Sequence, residues 1–175
     1  SAEIVTRHAG VLSGSPVLDV ILRRLAPELS WWWAVDDGEA IVPGDVVCRL
    51  SGPLARLLPV ERILLNMLGR LSGVATTTRR YVTEVEGTKV SVCDTRKTTP
   101  GFRSLEKYAV LCGGGTMHRL GLHDAILVKD NHVGSLTASE FAERIVREIP
   151  AACNDFKPTF VQVEVDDFEQ LEAVL

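Results

Sequence analysis

The chain has 175 residues, 46% hydrophobic and 24% charged, which is the composition of a globular protein of one or two domains. That balance excludes a disordered segment, a collagen-like repeat and a disulfide-dense miniprotein. The formal net charge of −4 gives no global pull toward nucleic acid, although a sum over the chain hides any local basic site.

Taken in chain order, residues 15–24 read as a helix with Val17, Val20, Ile21 and Leu25 on one face. Residues 30–35 carry three consecutive tryptophans, for which burial under a sheet or at a subunit contact is the default. Asp36-Asp37-Gly38 is a turn signal. Residues 40–42 and 46–50 read as a structural hairpin around Pro43-Gly44-Asp45. No lysine stands at that corner, so a biotin- or lipoate-carrying hairpin is set aside. Ser51-Gly52-Pro53 separates this region from the helical stretch after it.

From 59 to 86 the spacing predicts a long helix, with Leu64, Leu68, Leu71 and Ala75 recurring at steps of three and four. Pro59 fits its first turn, and Ser72-Gly73 is a place for a kink or a division. Strand character appears at 89–94, 125–128 and 159–165, with helical runs at 105–111, 138–149 and 168–175. Such alternation predicts a parallel sheet with crossover helices. Three units cannot close a barrel, so the chain is expected to be part of a longer protein, lacking sequence at both ends.

The four cysteines form no CxxC pair or zinc spacing, and Cys48, Cys93 and Cys153 are expected to behave as small buried hydrophobes. No apolar stretch approaches the ~20 residues that span a bilayer, and Ser1-Ala2-Glu3 does not begin a secretion signal. A cytoplasmic protein without membrane or nucleic-acid partners is the expectation.

The chemistry concentrates between Asp94 and His132, a stretch with six lysines and arginines, four acids and three of the chain's four histidines. Asp94-Thr95-Arg96-Lys97 and Lys129-Asp130-Asn131-His132 each come after a predicted strand, where ligand-binding residues collect in α/β folds. Plain alternatives stand beside each feature. Arg96-Lys97 also reads as a solvated turn, and Gly113-Gly114-Gly115 as a helix terminator or as a nest of N–H groups for an anion. Cations clustered at successive strand ends favour a polyanionic ligand, because like charges repel unless an anion neutralises them. The stretch has neither GxxxxGK[ST] nor GxGxxG, which disfavours a P-loop enzyme and a Rossmann dehydrogenase.

The runs TRKTTPGFR (95–103), LEKYAV (105–110), GGGTMHR (113–119) and KDNH (129–132) resemble the quinolinate phosphoribosyltransferase family. ERILLN (61–66), LSGVAT (71–76) and VEVDDFEQLEAVL (163–175) extend the likeness. The resemblance implies an α/β protein: an N-terminal α/β sandwich domain, partly present in 1–57, then linking helices and the first part of an incomplete, seven-stranded α/β barrel over 58–175. It implies a homodimer or higher oligomer that transfers phosphoribose from phosphoribosyl pyrophosphate (PRPP) to quinolinate with loss of carbon dioxide. Mg2+ accompanies PRPP and its pyrophosphate.

By motif match Arg96, His118, Arg119 and Lys129 bind quinolinate, and Arg62 reaches the site across the dimer. Lys97 and Glu164 lie toward PRPP, with Glu164 also the candidate metal ligand; Lys97, Lys129 and Glu164 are the candidate catalytic residues. Met117 stands where asparagine is common in the family, and Gln162 where a first glutamate often precedes the position of Glu164. A further metal-site acid and the loops for the ribose 5-phosphate are expected beyond Leu175. A molybdate-transport-associated relative, transfer to nicotinate and a non-catalytic binding protein are the competing readings. Retention of Arg62, Arg96, Arg119 and Lys129 weighs against the last.

Overall fold

A computed structural model describes residues 1–134 and 136–175, with the backbone only of Asp130, Val133 and Phe156. The protein is mixed α/β and divides into two compact units, Ser1–His118 and Arg119–Leu175.

In the first unit, β1 (Ala2–Val5), β5 (Val46–Ser51) and β3 (Ser30–Trp33) form an antiparallel sheet with β5 central. A two-stranded sheet pairs β2 (Gly10–Val11) with β4 (Ala40–Ile41). The expected hairpin is therefore not formed, since its two strands belong to different sheets. The corner between them is tied to Thr6 instead, which takes the N–H of Gly44 at 3.0 Å and gives its own to the carbonyl of Asp45 at 2.9 Å.

Helix α1 (Ser15–Leu25) is amphipathic and buries Leu18 and Leu22. Its N-terminus is capped from a distance: the Asp37 carboxylate accepts from the N–H groups of Gly14 and Ser15 at 2.6 and 3.1 Å. Burial, and then the same Asp37 carboxylate, raise the pKa of the Tyr108 phenol. Trp31 and Trp33 face inward and both donate Nε1–H to Asp19 Oδ1, at 2.7 and 2.9 Å. Trp32 faces out, 57% exposed, under the Arg49 guanidinium.

Helix α2 (Leu54–Glu84) is one continuous run of 31 residues, undivided at Ser72-Gly73. It begins before Pro59, which lies inside it rather than in its first turn. Pro59 is on the solvent side, where water can take the carbonyl its missing N–H leaves free. On the opposite side Val60, Leu64 and Leu68 join Leu18, Leu22, Val47, Cys48 and Leu50 in one core, which outweighs the proline. Burial also pushes the Cys48 thiol up to about 11. Cys93, by contrast, is exposed, contrary to expectation, with its Sγ 3.0 Å from Thr116 Oγ1.

The predicted strand at 89–94 reduces to a single parallel bridge, Cys93 with Thr116. Two bonds make it: the N–H of Thr116 to the carbonyl of Val92 at 2.8 Å, and that of Asp94 to the carbonyl of Thr116 at 3.1 Å. Helix α3 (Arg103–Cys112) comes next and packs on α2.

In the second unit β6 (Ile126–Val128) pairs in parallel with β7 (Val161–Val163), matching Ile126 to Val161 and Val128 to Val163. Helix α5 (Ala138–Phe156) connects them, with a Thr137–Glu140 capping box at its start. This β–α–β unit is the crossover that the alternation predicts. Helix α5 runs seven residues past the expected stop at 149, because Pro150 sits on its exposed side. The short α4 (Asp130–Val133) and the closing α6 (Phe168–Val174) complete the unit. Among the described residues no helix is long and apolar enough to cross a membrane.

Candidate functional site

Helix α3 carries two consecutive buried charges, Glu106 and Lys107, which are 7% and 1% exposed. The Glu106 carboxylate accepts from Thr99 Oγ1 at 2.8 Å and from the Thr99 N–H at 3.1 Å. Arg70 of α2 donates to the same group, Nη2 at 2.5 Å and Nε at 3.1 Å, and reaches Thr99 Oγ1 at 2.9 Å. Burial alone pushes this carboxyl up; the hydrogen bonds from Arg70 and Thr99 outweigh it and hold the group below its ordinary value.

Lys107 points the other way along the chain. Its Nζ pairs with Asp94 Oδ1, which also accepts from the His118 N–H at 3.0 Å. One carboxylate thus ties the end of the 89–94 segment to α3 and to the loop bearing His118. Arg96 and Lys97 lie between the Asp94 and Thr99 anchor points. Lys97 is exposed, and its N–H donates to Thr95 Oγ1 at 3.1 Å. Asp94 Oδ2 and Arg96 Nε are buried without a hydrogen-bond partner among the described residues, so donor and acceptor capacity remains at this loop.

The three glycines terminate α3. The N–H groups of Gly113, Gly114 and Gly115 donate to the carbonyls of Ala109, Leu111 and Val110 at 3.0, 2.8 and 3.0 Å. That spends the donors an anion nest would need, so the nest alternative is not realised. The first glycine is also required for contact, because a Cβ on Gly113 would lie 2.5 Å from the Ala75 carbonyl oxygen of α2. Arg62 is exposed on α2, in the first unit, and Met117 is 48% exposed beside His118.

In the second unit Arg119 is 6% exposed and donates Nη1–H to the Ala125 carbonyl at 3.3 Å, at the entrance to β6. The parallel ladder continues past the other end of β6, where the Glu164 N–H donates to the Val128 carbonyl at 3.0 Å. That register places Lys129 beside Glu164, with Nζ 3.1 and 3.2 Å from the two carboxylate oxygens. The pair is partly exposed, so solvent screens it and an anionic ligand can exchange with the carboxylate at little cost. The Lys129 N–H donates to His132 Nδ1 at 2.9 Å, which folds the KDNH run into α4. The Asp130 side chain of that run lies outside the described residues.

Of the residues singled out by sequence, Lys129 and Glu164 are brought together. Arg96, Lys97 and His118 share the anchored loops of the first unit. Asp94 is singled out in sequence at the head of the 94–97 cluster, but Glu106, Lys107 and Arg70, which hold that cluster in place, are not. Their signal was available: a helix as short and apolar as 105–111 has little reason to carry an adjacent acid and base unless both are paired. Among the described residues no three metal-ligating side chains cluster. Glu164 supplies one carboxylate, which suits Mg2+, an ion usually held by one or two carboxylates with substrate phosphates completing its shell.

Residues 1–72 match the quinolinate phosphoribosyl transferase N-terminal domain, and residues 74–175 match its C-terminal domain. The chain is 39% identical over 181 residues to the nicotinate-nucleotide pyrophosphorylase (carboxylating) of Mycobacterium leprae, covering all of this chain and 60% of that protein. It is 34% identical to the chloroplastic enzyme of that name from Oryza sativa, with 99% of this chain and 46% of the relative covered. The NadC structure from Streptococcus pyogenes superposes with a TM-score of 0.84 at 36% identity, over 96% of this chain and 59% of that one. The nicotinate-nucleotide pyrophosphorylase structure from Francisella tularensis gives 0.85 at 33%, over 99% and 62%. The chain thus spans less than two thirds of the length of these relatives. With both domains matched in order along the chain, it belongs to the quinolinate phosphoribosyl transferase family.

Proposed function

We propose that the protein transfers phosphoribose from PRPP to quinolinate, releasing pyrophosphate and carbon dioxide and giving nicotinate mononucleotide for NAD biosynthesis. The observation that carries this reading is the pairing of Lys129 with Glu164 at the C-terminal ends of two parallel strands, in a chain that belongs to the quinolinate phosphoribosyl transferase family. Strand ends of this kind are where α/β folds hold ligands.

Quinolinate is a planar dicarboxylate, and Arg96, His118, Arg119 and Lys129 are its partners in this proposal, with Arg62 supplied by the neighbouring protomer of a homodimer or higher oligomer. Lys97 faces the pyrophosphate of PRPP and Glu164 the ribose hydroxyls. The bond from the ribose anomeric carbon to pyrophosphate breaks as the pyridine nitrogen bonds to that carbon. Lys97 stabilises the negative charge that gathers on the leaving group. The quaternary pyridinium then accepts the electron pair left by the departing carboxylate, and the ring carbon takes a proton. Lys129 and the arginines hold the ring in register for both steps. Glu164 would be the protein ligand for Mg2+, which when bound would supply neutralisation of the pyrophosphate charge.

We assign the N-terminal sandwich domain to 1–57 and the linking helices and barrel start to 58–175. The β6–α5–β7 unit is the opening of a seven-stranded α/β barrel. The four free cysteines suit a cytoplasmic setting. Titration of the full-length protein with quinolinate and with nicotinate tests the ligand. Quinolinate should bind at least ~10-fold more tightly, because its second carboxylate gains a charged hydrogen bond worth about 1.5–3 kcal/mol. Equal affinities would remove the dicarboxylate site.

A further inference from the structure

We propose that Glu106 and Lys107 are paired positioning residues that hold the cation-bearing 94–99 segment at both ends. Neighbouring side chains on α3 reach opposite ends of one six-residue stretch: Lys107 takes Asp94, and Glu106 takes Thr99 through both its N–H and its hydroxyl. Between the two anchors the chain is held by local contacts, Lys97 N–H to Thr95 Oγ1 at 3.1 Å and Thr98 N–H to the Arg96 carbonyl at 3.0 Å. Arg96 and Lys97 are in that interval. The anchors are rigid because both acids and Lys107 are buried, and buried charged groups keep fixed partners.

Arg70 adds a third point. It binds Glu106 and Thr99 together, so the loop is fixed to α2 as well as to α3. The Glu106 carboxylate is taken up by Thr99 and Arg70. It acts through Thr99 on where Arg96 and Lys97 stand. Such a role predicts a loss in ligand affinity and rate larger than any loss of fold, since small displacements of binding groups are costly to a pre-organised site.

The inference rests on the function proposed above for Arg96 and Lys97, but its structural half is separable. Hydrogen exchange and steady-state kinetics should be measured together on full-length wild type, Glu106→Ala, Glu106→Gln and Arg70→Ala. In Glu106→Ala, exchange at Thr99 and across the peptide containing 95–99 should rise at least ~10-fold, while the β1–β5–β3 sheet keeps its protection. For PRPP, kcat/KM should fall at least ~10-fold. Glu106→Gln retains one oxygen to accept from Thr99 and should recover part of both losses, and Arg70→Ala should show a smaller version of each.

Unchanged exchange in the loop of Glu106→Ala overturns the anchoring, whether or not the protein is active. Faster loop exchange with unchanged kcat/KM overturns the positioning role. A wild type without activity counts against the proposed function instead, and the exchange comparison still decides the anchoring. If Glu106→Ala does not fold, the Gln and Arg70 variants carry both measurements.

Discussion

Lys107→Met removes the only charged partner, among the described residues, of a carboxylate that is 4% exposed, and does so at a lysine side chain that is itself 1% exposed. Methionine fills nearly the same volume, so the change isolates the charge from the packing. Asp94 would then keep only the His118 N–H, on Oδ1, while Oδ2 has no partner to take up the loss. Leaving one member of a buried ion pair uncompensated costs about 3–5 kcal/mol. All three tryptophans are at 31–33, in the same compact unit as Asp94 and Lys107, so their fluorescence reports unfolding of that unit. With a urea m-value of about 2 kcal/mol/M, the midpoint should fall by about 1.5–2.5 M. The double variant Asp94→Leu/Lys107→Met removes both charges and takes away the Asp94 Oδ1 acceptor of the His118 N–H, a cost of about 1–3 kcal/mol. It should therefore be more stable than Lys107→Met alone. A single-variant loss below about 1 kcal/mol, or a double variant no better than the single, would refute this reading of the pair.

Glu106 has a folded-state pKa lowered below 4.5, so the stability it contributes is fully present above that value and lost as pH falls through the folded value. Glu106→Gln should flatten the acid limb of a urea-midpoint profile followed by tryptophan fluorescence, and parallel profiles for the two proteins would deny the contribution. Gly113→Ala brings a methyl to 2.5 Å from the Ala75 carbonyl oxygen and 2.6 Å from Thr78 Cβ, and should cost about 1–3 kcal/mol as α2 and α3 are forced apart. An unchanged urea midpoint would show that the contact yields freely. A thiol reagent at pH 8 should modify exposed Cys93 first and Cys48 last, because Cys48 is buried and its thiol is raised to about 11. Mass mapping that found Cys48 among the first sites would contradict the packing of β5.

Elements whose signal is local were legible before any coordinates. Helix α1, helix α3 and the β6–α5–β7 crossover can be read from periodicity within each segment. Sequence misleads where a distant partner decides. The segments at 40–42 and 46–50 have strand character, yet β4 pairs with β2 and β5 with β1 and β3, because Thr6 ties down the corner between them. Pro59 and Pro150 look like helix boundaries, but each faces water, and the buried side of the helix carries it through. At the candidate site the cations are conspicuous in sequence, as are Asp94 and Glu164, but which cation each acid takes is not. Asp94 is 13 residues from Lys107, and Arg70 is 36 from Glu106, so neither pairing has a local signature. The adjacency of Lys129 and Glu164, 35 residues apart, needs the parallel register of β6 and β7.

The most direct measurement is product formation by the full-length protein from labelled quinolinate, with PRPP and Mg2+ each present or omitted. Carboxylating phosphoribosyl transfer predicts carbon dioxide, pyrophosphate and nicotinate mononucleotide in equal amounts, and only when PRPP and Mg2+ are both present. No carbon dioxide from a folded sample supplied with both, or carbon dioxide released without PRPP, would contradict it.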